Sequence, residues 1–289
     1  MKSRTIYMSL LLFFVSGELS LLGAAEQPSG IPFRLYAGFA IVVRGAIGGQ
    51  ENLNFLVDTG AVPSVIHLRL ARKLNLNGPR EDLSVISHSQ PVERLMIPPM
   101  RLGLLEVPSV SAVVVDLSAI EKRLGLRLDA IIGLDVLGRQ DFTIDYRLHQ
   151  ILIGAAATTQ EAVPFELLTQ ADATYIVVRM ETNSQFVRLL MDTGADGITL
   201  FAARIKGRLL ARQKSARMDV SASGEYAVEQ IQLLDVRLGT TKRGKRQATL
   251  LETAPASQDF DGILGPRSLG ITRLAFDFRA KILYLQIER

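Results

Sequence analysis

Two aspartates stand in the same setting. Leu56-Val57-Asp58-Thr59-Gly60-Ala61 recurs as Leu190-Met191-Asp192-Thr193-Gly194-Ala195, with Asp58 and Asp192 134 residues apart. Each ends an apolar run and precedes a glycine-containing turn. A carboxylate in such surroundings is costly unless it is hydrogen-bonded, shared or used. Brought face to face, two carboxyls hold one proton between them, because like charges about 3 Å apart do not both ionise. The charged member can then take a proton from water, and the protonated member can hydrogen-bond a carbonyl oxygen. That is enough to hydrolyse an amide without a metal or a covalent nucleophile.

The chain is poor in other chemistry. It has no cysteine, which excludes disulfides, thiol nucleophiles and cysteine-bound metals. Its histidines, His67, His88 and His149, have no metal-ligand spacing. No Gly-x-Ser-x-Gly elbow presents a serine. Neither metal nor cofactor is expected. Asp129, Asp135, Asp145, Asp261 and Asp277 also border apolar blocks, and capping and turn roles are expected for them.

The elements that must position the aspartates are repeated too. Ile31-Pro32-Phe33 matches Val163-Pro164-Phe165 at an offset of 132, and Val92-Glu93 with Arg101-Leu102-Gly103 matches Val228-Glu229 with Arg237-Leu238-Gly239 at 136. Asp129-Ala130-Ile131-Ile132-Gly133 matches Asp261-Gly262-Ile263-Leu264-Gly265, and Phe142-Thr143-Ile144-Asp145-Tyr146 matches Leu274-Ala275-Phe276-Asp277-Phe278, both at 132. Collinear blocks at near-constant offset mean internal duplication, with each copy a lobe. Strands are expected at 39–43, 53–57, 110–115, 142–145 and 150–153, and again at 175–180, 186–191, 227–233, 274–278 and 282–287. Short helices are expected at 64–74, 118–124 and 200–210, the second capped by Ser118. The small polar stretch 155–160 reads as a linker. Lobe 1 is therefore set at 26–156 and lobe 2 at 157–289.

Residues 1–25 read as an export signal. Lys2 and Arg4 precede the apolar run Ile6–Val15, and Gly23-Ala24-Ala25 offers a cleavage site before Glu26. An N-terminal anchor is the alternative if cleavage fails. The expected location is periplasmic or secreted, without a stable membrane span in the mature form. Removing Lys2, Arg4 and Glu18 leaves 31 basic against 28 acidic residues, too even a balance to imply a nucleic-acid partner. The basic cluster Lys242-Arg243-Gly244-Lys245-Arg246 is expected at a solvated hairpin tip.

Asp-Thr-Gly-Ala after an apolar strand, followed by Ile131-Ile132-Gly133 in one lobe and Ile263-Leu264-Gly265 in the other, resembles the retropepsin-like aspartic peptidases. The likeness spans nearly all of residues 30–289 and is strongest to bacterial exported proteins with tandem lobes. It implies an all-β, bilobal acid-protease fold: two pseudo-symmetric closed β lobes with short helices, the apolar-apolar-Gly segment threading beside the Asp-Thr-Gly loop. It implies an aspartic endopeptidase acting on peptide or protein substrates, with Asp58 and Asp192 catalytic. Thr59, Gly60, Thr193 and Gly194 would support the loops, the threonines by hydrogen bonds across the lobe interface. Asp196 completes Asp-Thr-Gly-Ala-Asp and would bind the substrate backbone, whereas lobe 1 has Val62 there.

Pepsin-like enzymes often carry Ser or Thr at the positions of Ala61 and Ala195, so a working range milder than pepsin's is expected. Flap tips are expected at 87–90 and 221–224. Retroviral enzymes have an arginine bracing the lobe interface near the place of Arg267, though at a different spacing. Because the duplication is covalent, a monomer is expected. A non-catalytic peptide-binding protein or an envelope scaffold of the same fold are the alternatives.

Overall fold

The computed structural model describes residues 30–84, 89–154, 161–170, 173–205, 215–221, 224–252 and 259–288. Residues 1–25, the 155–160 stretch and residues 87–88 and 222–223 of the expected flap tips lie outside these. Two closed β lobes share one strand plan, an all-β acid-protease fold. In lobe 1 the strands Ile31–Tyr36, Ala40–Ile47 and Gln50–Val57 form an antiparallel meander. Ala130–Ile132 runs parallel beside Gln50–Val57 and antiparallel to Ser64–His67. Ser64–His67 in turn runs parallel to Val110–Val115, which pairs with Ser89–Ile97 and so with its hairpin partner Arg80–Ser84. Lobe 2 repeats the plan with Glu161–Gln170, Ala173–Thr182 and Gln185–Met191, then Gly262–Leu264 threaded between Gln185–Met191 and Ile198–Phe201. Thr241–Leu251 follows, paired with Gly224–Leu238 and through it with Ser215–Ser221.

A six-stranded antiparallel sheet joins the lobes, in the order Ile31–Tyr36, Gln150–Ile153, Phe142–Asp145, Ile271–Asp277, Ile282–Ile287, Glu161–Gln170. At its centre Thr143 faces Ala275, its own copy in the repeat. The duplication thus becomes a pseudo-two-fold axis, with Phe142 stacked on Phe276 at 4.4 Å beside it.

The strands that carry the aspartates read as unbroken apolar runs because both faces are covered. Phe55 and Val57 enter the main core, whereas Leu56 enters a second cluster with Val42 and Ile131. Leu189 and Met191 likewise enter the main core, and Leu190 enters a third cluster with Val177 and Ile263. Ala61 packs on the second cluster and Ala195 on the third. Each Asp-Thr-Gly loop therefore leaves a strand clamped between two apolar layers, which fixes its direction.

Local details depart from the sequence reading. Residues 64–67 are a strand, and the helix is only Leu68–Lys73. Residues 198–201 are a strand followed by the short helix Ala202–Ile205, with 206–210 outside the described residues. In both places the threaded strand supplies edge hydrogen bonds that outweigh a weak helical pattern. Ser118 opens the Ser118–Leu124 helix rather than capping it. Asp116 Oδ1 takes its N–H at 3.0 Å and its hydroxyl at 2.5 Å. The basic cluster 242–246 lies within the Thr241–Leu251 strand, because the turn comes earlier, at Gly239 (φ 64°).

Candidate active site

Each aspartate is held by the threaded strand of its own lobe. Asp58 N–H donates to Ile132 O and Asp192 N–H to Leu264 O, both at 3.0 Å. The glycines that end those strands, Gly133 and Gly265, lie against the Asp-Thr-Gly loops, where an added Cβ would fall 2.1 Å from Ala61 O and 2.3 Å from Ala195 O. Only glycine lets the two chain segments pass so closely.

Within each loop the carboxylate folds back onto its own turn. Gly60 N–H donates to Asp58 Oδ1 at 2.8 Å, and Gly194 N–H to Asp192 Oδ1 at 2.7 Å. The two loops meet head to head. A Cβ on Gly60 would sit 2.6 Å from Asp192 Cγ, and one on Gly194 would sit 2.6 Å from Asp58 Cγ. Neither glycine has a positive φ. What demands glycine is the carboxylate of the opposite lobe. Asp58 and Asp192 therefore face one another across the two turns. Burial, then the charge of Asp58 and its hydrogen bond, hold the Asp192 carboxyl well above the usual aspartate range, against the opposing pull of the Gly194 and Ala195 N–H groups. The proton belongs to the pair.

Beneath the carboxylates the threonines interlock. Thr59 N–H donates to Thr193 Oγ1 at 3.0 Å, and Thr193 N–H to Thr59 Oγ1 at 3.1 Å. Each hydroxyl then donates across the interface, Thr59 to Met191 O at 2.7 Å and Thr193 to Val57 O at 3.1 Å. Both threonines are buried, and all four groups find partners.

The symmetry stops at the next shell. In lobe 1 Ser64 Oγ accepts from Gly133 N–H at 2.9 Å and donates to Asp135 Oδ1 at 2.7 Å. In lobe 2 the backbone does this work, with Gly265 N–H donating to Gly197 O at 2.8 Å. Asp196 pairs with Arg123 of lobe 1 at 2.5 Å. Sequence reasoning passed over Arg123, Ser64 and the brace role of Asp135. The only signal for Asp135 was its mismatch with Arg267 at the repeat offset. The remaining aspartates bind backbone. Asp129 takes Asn54 N–H and Asp261 takes Arg188 N–H, at equivalent places in the two lobes. Asp145 and Asp277 close turns.

The flanking hairpins, Arg80–Ser84 with Ser89–Ile97 and Ser215–Ser221 with Gly224–Leu238, are in place below the expected flap tips. Lobe 2's Ser215–Ser221 strand lies against lobe 1's Ser118–Leu124 helix. Among the described residues no group of His, Asp and Glu is arranged to hold a metal ion. No helix among them is long and apolar enough to cross a membrane.

Residues 43–136 match the family model described as aspartyl protease, covering the first Asp-Thr-Gly loop, its threaded strand and Gly133. Residues 43–136 of lobe 1 are thus similar to an aspartyl protease domain, which supports a protease function in general terms. Among curated proteins none matches the chain.

Proposed function

We propose, from the likeness of lobe 1 to an aspartyl protease domain, that the whole chain is a single-chain aspartic endopeptidase using Asp58 and Asp192 as one site. The observation that carries this reading is the approach of each loop's glycine to the opposite carboxylate. It sets each acid against the other lobe's turn, so that the two carboxyls face one another.

In the proposed cycle the pair begins with one proton. Its charged member takes a proton from a water lying between the carboxyls, and the resulting hydroxide oxygen bonds to the scissile carbonyl carbon. The protonated member donates to the carbonyl oxygen and stabilises the gem-diol. A proton then passes to the amide nitrogen, the C–N bond breaks, and the pair again holds one proton. Hydrogen bonds from Gly60 and Gly194 aim the carboxylates, and the threonine interlock keeps the loops at fixed separation. The hairpins of the two lobes would cover a peptide in the cleft and exclude water.

Asp196 is proposed to contact substrate from within its ion pair with Arg123, so a peptide there must compete with or lie along that pair. Because both aspartates come from one chain, a monomer suffices. Export by residues 1–25 to a periplasmic or secreted location is part of the proposal, and the N-terminal residue of the mature protein tests it.

The enzymatic claim is tested by incubating the mature chain with a denatured protein mixture between about pH 3 and 8, with and without a statine-type transition-state analogue. Cleavage that the analogue inhibits and that Asp58→Asn or Asp192→Asn each abolishes is expected. Wild-type cleavage by both variants, or none anywhere in that range, overturns the reading.

A further inference from the structure

The second lobe shows what position 67 needs for packing. His67 is the copy of Phe201, at the offset of the two aspartates. His67 N–H donates to Asp129 O and Phe201 N–H to Asp261 O, both at 2.9 Å, and both side chains are buried. A phenylalanine therefore serves at this place, yet lobe 1 puts an imidazole there. Its Nδ1 accepts the Arg69 N–H at 3.1 Å and so caps the helix Leu68–Lys73. An accepting Nδ1 leaves the proton of the neutral ring on Nε2. The one ring nitrogen still able to take up a proton is then the capping one.

The Nε2 edge of the ring faces the anchor of the next helix, Ser118–Leu124. Glu121 Oε1 lies 3.7 Å from Nε2 and Asp116 Oδ1 3.8 Å. Both acids place that helix. Asp116 holds its first residue, and Glu121 accepts from Arg69 Nη2 at 3.0 Å and from Leu128 N–H at 2.8 Å. Arg69 also donates to Leu128 O at 3.0 Å, and its Nη1 stands 3.1 Å from His67 Nε2. The same helix carries Arg123, which reaches Asp196 of lobe 2 at 2.5 Å. Direct contacts thus run from His67 and Arg69 through one short helix to the loop that follows Asp192.

We infer that His67 is an acid-released pin: proton uptake at Nδ1 breaks its cap, turns the charged ring from Arg69 toward Asp116 and Glu121, and loosens the Ser118–Leu124 helix together with the Arg123–Asp196 contact between the lobes. The charged groups facing the ring are Arg69 on the helix it caps, Asp116 before and Glu121 within the second helix, and Asp129 before the threaded strand, with Arg127 3.8 Å from Asp129. Arg69 brings a donor to each ring nitrogen, its N–H to Nδ1 and its Nη1 to Nε2. The charged ring carries a proton on both, so this arrangement cannot outlast protonation. Burial, and after it the charge of Arg69, holds the His67 pKa below its ordinary value against the pull of the three acids. The pin therefore holds at neutral pH and releases in the acid part of the range proposed for the dyad. Phe201 cannot titrate, so the response belongs to lobe 1.

As regulation of the proposed site the inference rests on that reading, so its test does not depend on turnover. Imidazole nitrogens of histidine-labelled protein are followed by NMR across pH, with the His67 signals assigned through His67→Asn. Amide hydrogen exchange, corrected for the intrinsic rate, is compared at about pH 7.5 and about pH 5. The neutral ring is expected to carry its proton on Nε2 and to titrate below 6.5. Protection of the Ser118–Leu124 helix, and of the Asp196 and Gly197 amides, is expected to fall at least about fivefold on acidification. His67→Asn keeps a cap acceptor and His67→Phe copies lobe 2. Neither can be protonated, so each is expected to show the same protection at both pH values. Arg123→Gln should leave the His67 titration and the helix response in place while uncoupling the Asp196 and Gly197 amides from them. A neutral ring protonated at Nδ1, unchanged helix protection while His67 titrates, or a fall like that of wild type in either His67 variant overturns the inference. A chain that responds as expected and cleaves nothing removes the proposed function and leaves the pin standing.

Discussion

Replacing Thr193 with valine tests whether the interlock below the dyad holds the two lobes together. Valine keeps the shape and opens no cavity, so the change is confined to hydrogen bonding. Thr193 is 1% exposed, Thr59 and Val57 are 0% exposed, and the lost hydroxyl served two buried groups, accepting from Thr59 N–H and donating to Val57 O. Leaving a buried donor or acceptor without its partner costs about 1–3 kcal/mol each, so Thr193→Val should lose about 2–6 kcal/mol. Thr193→Ser keeps both bonds and sheds one methyl, for about 1 kcal/mol. Urea denaturation at neutral pH measures both. The loops would also move apart, so any cleavage should fall far more for valine than for serine. Equal stability loss in the two variants would refute the reasoning, since the hydroxyl would then not be what the interface depends on.

Gly60→Ala puts a Cβ 2.6 Å from Asp192 Cγ, where ordinary contact begins at 3.4 Å. The resulting displacement of nearly 1 Å should cost about 100-fold in kcat with little change in secondary structure, read by single-turnover kinetics and circular dichroism. Asp192→Asn should raise Tm at pH 7. The folded state holds the Asp192 carboxyl above its unfolded value of 3.8, so the folded protein binds more protons in that window and loses stability as pH rises through it. The gain should vanish below about pH 3.8, where both states are protonated, as scanning calorimetry across pH will show. Ala195→Ser adds a donor beside a carboxyl that already accepts from the residue 195 N–H. It should move the acid limb of kcat/KM down by about one unit, whereas an unmoved limb would mean that the new hydroxyl points away.

The sequence disclosed more of the site than of its surroundings, and the reason is physical. Asp-Thr-Gly and apolar-apolar-Gly are dictated by backbone approaches a few ångströms wide. Gly60, Gly133, Gly194 and Gly265 each face an atom that forbids a side chain, and such positions leave a mark in the sequence. The repeat offset marked Thr143 and Ala275 as copies, but their pairing at the centre of the joining sheet was not legible in it. Segment 64–67 was misread because its helical pattern is weak and its strand state depends on a neighbour, Val110–Val115, far along the chain. The Arg123–Asp196 pair was invisible because it depends on where the Ser118–Leu124 helix lands against the other lobe. Lys242–Arg246 looked like a tip because Gly244 suggested a turn. Val236 pairs with Gly244 across a register shift within the ladder instead.

The central claim is that Asp58 and Asp192 of one chain form one catalytic pair. Mixing purified Asp58→Asn and Asp192→Asn proteins and measuring peptide cleavage tests it most directly against the wild type. The account predicts an active wild type, two inactive variants and no activity in the mixture at any concentration, because each chain supplies its own damaged pair. Activity restored on mixing, rising with protein concentration, would show that the pair is assembled between chains and contradict it.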